Sequence, residues 1–314
     1  MTIKVVSRGF QVDGGRFAYA DDFVFTSDPR CRDYDWLVAY DDLPEPERLG
    51  CPRRQTILAT SEPVSIKGYS RGFTRQFGHL LTNRPAEAES HPCYHLGRGY
   101  YKWFYGRTHA EAAAMRPPEK TKGISVVCSS KRMRHTRHFE RLRLIEHLSR
   151  NLPELDWFGH GVRAFDSKCA VTDPYRYQVV VENHMAPHHW TEKLTDAFLG
   201  WCLPFYAGAP DLADDFPRDS FIPIPVDDPG RALGIIRSAM ADDAYGRRRE
   251  ALCEARRLVL EKYNFYAQVI AVIRGAERVP GPAAGCLYPR RAMRWRDPRC
   301  AVEDAVWRVK RMMA

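Results

Sequence analysis

The run over residues 175–224 limits what this chain can fold into more than any other stretch of its sequence. Residues 178–181 are apolar and mostly β-branched, which is typical of a buried parallel strand, and they end at the polar pair Glu182 and Asn183. Thr191 then has the side chain of a helix N-cap, and apolar residues follow it at helical spacing. A second apolar run follows at 203–206. This order predicts an open α/β sheet whose ligand crevice lies at the strand ends.

Buried strands of the same kind recur along the chain. Residues 36–40 and 56–60 are short apolar runs that end in polar turns, and residues 124–128 repeat the pattern after a polar segment with two adjacent prolines. A chain of 314 residues is also longer than one typical domain. We therefore predict an N-terminal domain over residues 1–115, a C-terminal domain over 116–275 and a basic tail over 276–314.

The net charge of +9 points to an anionic partner: a small molecule, a lipid surface or a nucleic acid. Much of the charge lies in residues 276–314, which hold nine basic and four acidic side chains. An RNA-binding signature and zinc-finger spacing are both missing from the sequence, which argues against nucleic acid. Residues 301–313 predict an amphipathic helix. That helix would either dock on an anionic membrane or pack back onto the first domain.

The sequence also bears on where the protein works. It has no apolar run long enough for a signal peptide or a membrane span. Its nine cysteines are scattered without a C-x-x-C pair, which suits reduced thiols better than a disulfide framework or a zinc site. We expect a cytoplasmic protein, with the inner membrane face as a second location if the tail binds lipid.

Four short motifs follow one another in the 175–224 run: Val181-Glu182-Asn183, then Trp190-Thr191-Glu192-Lys193, then residues 204–208 and 220–222. Their order and spacing resemble the donor-binding motif of the family 10 glycosyltransferases, the α-1,3/1,4-fucosyltransferases. Weaker similarity extends over residues 124–161 and 56–81. The resemblance implies a GT-B architecture, in which two Rossmann-like domains face a cleft. It also implies an inverting, metal-independent transfer of L-fucose from GDP-fucose to a hydroxyl of a glycan acceptor.

The resemblance implies that Asn183, Glu192 and Lys193 contact the GDP-sugar, with Glu192 facing the ribose or the sugar. A lysine beside the N–H groups of a helix start also suits a diphosphate on physical grounds. In the family an arginine on the first helix of this domain binds phosphate. The helix register favours Arg141 for this role, and Arg137 is the alternative. A solvated basic surface is the competing explanation for all three cations.

Two positions depart from the family pattern. His189 stands where a tyrosine is usual and Trp190 where a valine is usual, and we expect both to pack against the guanine or the ribose. His188 and His189 are adjacent, but no carboxylate or cysteine lies at ligand spacing, so we expect no metal there. Asp33 and Asp35 resemble a metal-binding D-x-D but precede their strand, which favours a solvated turn.

The resemblance implies a glutamate of the first domain as the general base, and Glu62 after the strand 56–60 matches that position. The alternative is that Glu62 only caps the turn before Pro63. The scheme needs no cofactor, since GDP-fucose is a substrate. Two other functions compete with it. One is a GT-B transferase for another GDP-sugar, and the other is a non-catalytic basic protein that binds membrane or nucleic acid.

Overall fold

The computed structural model describes residues 1–20, 22–85, 89–130, 137–277 and 281–313, which form two α/β units. The first unit combines Met1–Tyr100 with Phe265–Ala314, and the second is Tyr101–Asn264. The division therefore falls earlier than the predicted boundary at residue 115. The end of the predicted second domain and the basic tail both belong to the first unit.

The strands of both units, in chain order, are β1 (Thr2–Val6), β2 (Arg16–Tyr19), β3 (Phe23–Thr26), β4 (Trp36–Tyr40), β5 (Glu47–Arg48), β6 (Thr56–Ala59), β7 (His79–Thr82), β8 (Tyr94–Leu96), β9 (Lys122–Val127), β10 (Leu155–Phe158), β11 (Tyr175–Val181), β12 (Leu203–Ala207), β13 (Ile222–Pro223) and β14 (Cys286–Leu287). The α-helices are α1 (Arg71–Thr74), α2 (His109–Ala114), α3 (His138–Asn151), α4 (Glu192–Leu199), α5 (Pro229–Ala241), α6 (Ala244–Arg247), α7 (Arg249–Glu261), α8 (Phe265–Gly275), α9 (Arg290–Arg296) and α10 (Pro298–Met313).

The first unit is built on a sheet with the order β2-β3-β1-β4-β6-β7-β8, parallel except for the edge pair β2 and β3. Alternate side chains of β4 pack in two different hydrophobic cores, because successive side chains of a strand point to opposite faces of the sheet. Trp36 and Val38 pack in the core that also contains Val269 and Ile270 of α8. This contact explains why α8 belongs to the first unit, although in sequence it follows the second.

The second unit has an all-parallel sheet with the order β10-β9-β11-β12-β13. Leu144, Ile145 and Leu148 of α3 are buried in its core, which confirms the predicted register of that helix. Leu194 and Phe198 of α4 lie in the same core. The strand order reverses between β9 and β11. A doubly wound sheet opens its ligand crevice at the carboxyl ends of the strands at such a point.

The C-terminal helices α9 and α10 pack on the first unit, which was one of the two alternatives for the tail. Asp304 of α10 is buried and pairs with Arg290 and Arg294. The other face of α10 leaves Val302, Val306 and Val309 exposed. No helix within the described ranges is both long and apolar enough to span a bilayer.

Candidate functional site

Asn183 lies where the strand order of the second unit reverses, and it accepts hydrogen bonds from two arginines at the start of α3. It follows β11, and its backbone oxygen accepts a hydrogen bond from the N–H of Arg137 at 3.3 Å. Its side-chain Oδ1 accepts a second hydrogen bond from Nη1 of Arg141 on α3. The structure thus brings three of the predicted donor-binding residues together, although Arg137 and Arg141 lie more than 40 positions from Asn183 in sequence.

Arg141 is a buried cation whose charge no described carboxylate balances. Arg141 is only 6% exposed, and its Nη1 donates to the amide oxygen of Asn183. Burial raises the pKa of Cys128, and the Arg141 guanidinium partly counteracts that effect. The Nε atom of Arg141 is buried without a hydrogen-bond partner in the described part of the chain. An uncompensated buried charge is costly, so this arrangement is suited to an anionic ligand.

Glu182 organises the start of α4, a role that we did not predict from the sequence. It is fully buried, and its carboxylate accepts hydrogen bonds from the Thr191 N–H at 2.8 Å and the Thr191 hydroxyl at 2.7 Å. Thr191 is the N-cap of α4, as predicted, and its Oγ1 accepts from the N–H of Lys193 at 3.5 Å. Glu182 therefore fixes the helix start against the end of β11.

Lys193 is neutralised by its neighbours. Its Nζ lies 3.2 Å from Oε2 of Glu182, 3.1 Å from Oε1 of Glu192 and 2.9 Å from Oγ1 of Thr191, which together match its three N–H donors. Burial alone would lower the pKa of Lys193, but the two carboxylates outweigh it and raise that pKa. Burial likewise opposes ionisation of Glu192, yet Lys193 and Lys168 lower its pKa to about 2.

Lys168 is a further charged residue of this site that sequence reasoning missed. Its Nζ lies 2.6 Å from Oδ2 of Asp196 on α4, and the N–H of Phe104 donates to Oδ1 of the same carboxylate at 3.2 Å. Burial raises the pKa of Asp196 to about 6 despite the neighbouring ammonium. Lys168 comes from the irregular segment between β10 and β11. No local periodicity there marks a residue as part of a site.

The expectation that Trp190 packs against the ligand is wrong. Its side chain is 0% exposed, and its indole N–H donates to Oδ2 of Asp215 at 2.8 Å while the ring packs on Phe216 and Tyr263. Trp190 is therefore a core residue that fixes the segment before α4. His189 is also buried, with Nδ1 3.3 Å from the hydroxyl of Tyr101. Its contact with the donor remains a prediction.

A cavity of about 640 Å³ lies beside these residues, at the carboxyl ends of β12 and β13. Its lining includes Tyr206, Phe221 and Ile224 as apolar surface, together with the cations Arg137 and Arg248. The volume is in the range of pockets for small ligands and cofactors. Arg137 links the cavity to Asn183, so the cavity and the Arg141 site adjoin within the second unit.

Glu62 of the first unit lies where the sequence places it, after the carboxyl end of β6. A second carboxylate, Asp41, follows the neighbouring strand β4 and accepts hydrogen bonds from Lys67 and Tyr69. Burial opposes the ionisation of Asp41, but Lys67 and these hydrogen bonds lower its pKa overall. Asp41 is therefore a weak base that is already paired. The role of Glu62 as the general base stays a prediction.

The two units define the fold class. The sheet of the first unit is parallel except for one edge pair and that of the second is all parallel, and helices pack on both, as in the GT-B architecture of two Rossmann-like domains. The chain is similar to the crystal structure of an α1,3-fucosyltransferase with GDP-fucose, at 15% identity and a TM-score of 0.54 over 90% of this chain and 92% of the other. It is also similar to one with GDP, at 14% identity and a TM-score of 0.50 over 87% and 88% of the two chains. Neither a protein-family model nor a curated protein sequence matches the chain. At these identities the likeness shows the fold.

Proposed function

We propose that this protein is an inverting glycosyltransferase that moves L-fucose from GDP-fucose to a hydroxyl of a glycan acceptor. The observation that carries the proposal is Arg141, a buried guanidinium that is held by Asn183 at the point where the strand order reverses and lacks a carboxylate partner among the described residues. The shared fold supports it, because one protein of similar structure is an α1,3-fucosyltransferase with GDP-fucose.

In this proposal Arg141 supplies the charge that binds the diphosphate and stabilises it as it departs. Charge stabilisation of this kind is often the largest contribution to transfer catalysis. Arg137 borders both Asn183 and the cavity and provides a second cation. Lys193 contributes less free charge than the sequence suggests, since two carboxylates lie within 3.2 Å of its Nζ. We propose that Lys193 orients Glu192 toward the ribose or the sugar.

The proposed reaction is a single displacement. Glu62 takes the proton of the acceptor hydroxyl, the oxygen attacks the anomeric carbon of fucose, and GDP leaves from the opposite face with inversion. The apolar surface and cations of the 640 Å³ cavity suit a part of the nucleotide sugar.

We place the activity in the cytoplasm. The exposed valines of α10, next to Arg308 and Lys310, offer a contact with an anionic inner membrane face.

Turnover of a panel of GDP-sugars tests this function. We expect GDP release with GDP-fucose, and transfer to acceptors of the N-acetyllactosamine type. Glu62→Gln should lower kcat by about 100-fold or more, which is the usual contribution of a general base, while GDP affinity stays the same. Glu45→Gln alters an exposed carboxylate of the same unit and should change nothing. Normal turnover in Glu62→Gln would remove Glu62 from the mechanism.

The same panel separates the competing functions. Faster turnover with another GDP-sugar would show that fucose is not the donor sugar. The proposal that the protein is a glycosyltransferase would still hold. If no GDP-sugar is turned over, a protein without catalytic function is the better explanation. Salt-sensitive binding to vesicles or nucleic acid, lost on truncation at residue 276, would then identify the partner.

A further inference from the structure

Residues 61–69, here called the Glu62 loop, connect β6 to α1 and have no strand or regular α-helix of their own. Its backbone makes two hydrogen bonds of its own, from the N–H groups of Ile66 and Lys67 to the carbonyl of Pro63. Side chains from elsewhere that bind the remaining backbone polar groups restrict such a loop further. The structure shows two sets of such contacts. One comes from the strands on either side of β6, and the other comes from the C-terminal helices.

The neighbouring strands hold both ends of the Glu62 loop. Asp41, after β4, accepts from the N–H of Ser61 at 3.4 Å and from the side chains of Lys67 and Tyr69. Arg84, after β7, donates to the carbonyl of Glu62 and to that of Lys67, the latter at 2.9 Å. Its guanidinium also lies 4.8 Å from the centre of the Tyr69 ring. The first and last residues of the loop are thus attached to the sheet.

The C-terminal helices hold the middle of the loop. The indole N–H of Trp307 on α10 donates to the carbonyl of Val64 at 2.8 Å, and Nη1 of Arg290 on α9 donates to the carbonyl of Gly68 at 2.8 Å. The indole ring lies directly against Gly68. A Cβ at position 68 would come within 2.7 Å of Trp307 Cγ, so a glycine is required for this contact.

The helix that carries Trp307 is itself fixed to the first unit. Asp304 is buried and pairs with Arg294 of α9. Glu303 accepts from the N–H of Arg71 at 2.7 Å, at the start of the helix that follows the Glu62 loop. Gly72 packs against Cys300 in the same way that Gly68 packs against Trp307. These contacts restrain α10, so that Trp307 can restrain the loop.

We infer that Trp307 is a positioning residue for Glu62, and that the basic C-terminal segment is part of the acceptor-activating machinery rather than a separate arm. The inference rests on the proposed function, because it assigns Glu62 a catalytic role. The inference adds Trp307 to the residues that serve the reaction, although Trp307 lies 243 positions from Val64, whose carbonyl it binds. A displacement of about 1 Å in a reacting group can cost about 100-fold in rate, so restraint of this loop matters for proton transfer.

Trp307→Phe tests the inference, because it removes the N–H donor to Val64 and keeps an aromatic ring against Gly68. We expect kcat to fall by about three- to tenfold, with the KM for GDP-fucose and the affinity for GDP unchanged. Backbone amides of residues 61–69 should exchange hydrogen about fivefold faster in this variant. Trp295→Phe makes the same change at a side chain that is 88% exposed on the same segment, and it should alter neither quantity.

Gly68→Ala tests the same contact from the loop side. The new methyl group would push the loop away from the indole, and we expect the same selective loss of kcat. Gly9→Ala is the matched control, because no atom of the described residues lies within 4 Å of a Cβ at that position.

The outcomes separate the inference from the proposed function. Faster exchange of the loop in a protein without GDP-sugar turnover would support the restraint and refute the proposed function. Unchanged exchange and unchanged kcat in Trp307→Phe would overturn the inference. It would also be overturned if the variant lost GDP affinity in proportion to kcat, since the donor residues belong to the second unit.

Discussion

The pairing of Lys193 with Glu182 leads to a quantitative prediction for Lys193→Met. This substitution leaves the fully buried Glu182 carboxylate without its ammonium partner. Removing one member of a buried ion pair costs about 3–5 kcal/mol. Because the Lys193 side chain is 24% exposed, we expect the low end, about 3 kcal/mol of lost unfolding free energy.

The double variant Glu182→Gln/Lys193→Met removes both charges. It should recover about 2 kcal/mol of that loss, which is within the range of coupling energies for contacting residues. Urea unfolding followed by circular dichroism measures each member of the cycle, with Lys262→Met as a control at an exposed lysine of the same unit. A loss below about 1 kcal/mol in Lys193→Met, or additive effects in the double variant, would refute the reasoning. Lys193 would then have charge available for a diphosphate.

Three further predictions concern other parts of the molecule. Burial and the nearby His95 lower the pKa of His79 to about 4, so the unfolded chain binds more protons than the native state between pH 6.5 and 4. Stability should therefore fall by on the order of 1 kcal/mol from pH 7 to pH 5 in thermal unfolding, and less in His79→Gln. Trp190→Ala should cost about 3–5 kcal/mol in urea unfolding, because it empties a core site. Val306→Asp should weaken binding to anionic vesicles in a sedimentation assay and leave kcat unchanged, because its side chain is exposed on α10.

Local patterns in the sequence correctly predict parts of both units. The cap at Thr191 and the core positions Leu144 and Phe198 follow from propensity and spacing over a few residues. The buried strand at Trp36–Tyr40 is also found as predicted, because a short continuous apolar run has few other stable placements. The position of Glu62 after β6 follows from the same rule about strand ends.

The features that sequence reasoning missed depend on contacts between distant residues. The sequence places α8 in the C-terminal domain, and only the packing of Val269 and Ile270 in one core with Trp36 assigns it to the first unit. The sequence predicts that the charge of Lys193 is available for a phosphate. In the structure its Nζ lies 3.2 Å from Oε2 of Glu182, and this contact has no signal in the local sequence. The indole of Trp307 reads as part of an amphipathic tail, and its bond to the Val64 carbonyl has no local signature.

Isothermal titration calorimetry of GDP against the intact protein tests the central claim most directly. We predict that the wild type binds GDP and that Arg141→Met binds it at least about tenfold more weakly, since a hydrogen bond to a charged group contributes about 1.5–3 kcal/mol. Arg150→Met, at an exposed arginine of the same helix, should bind GDP like the wild type. No GDP binding by the wild type, or equal affinity in Arg141→Met, would contradict the account.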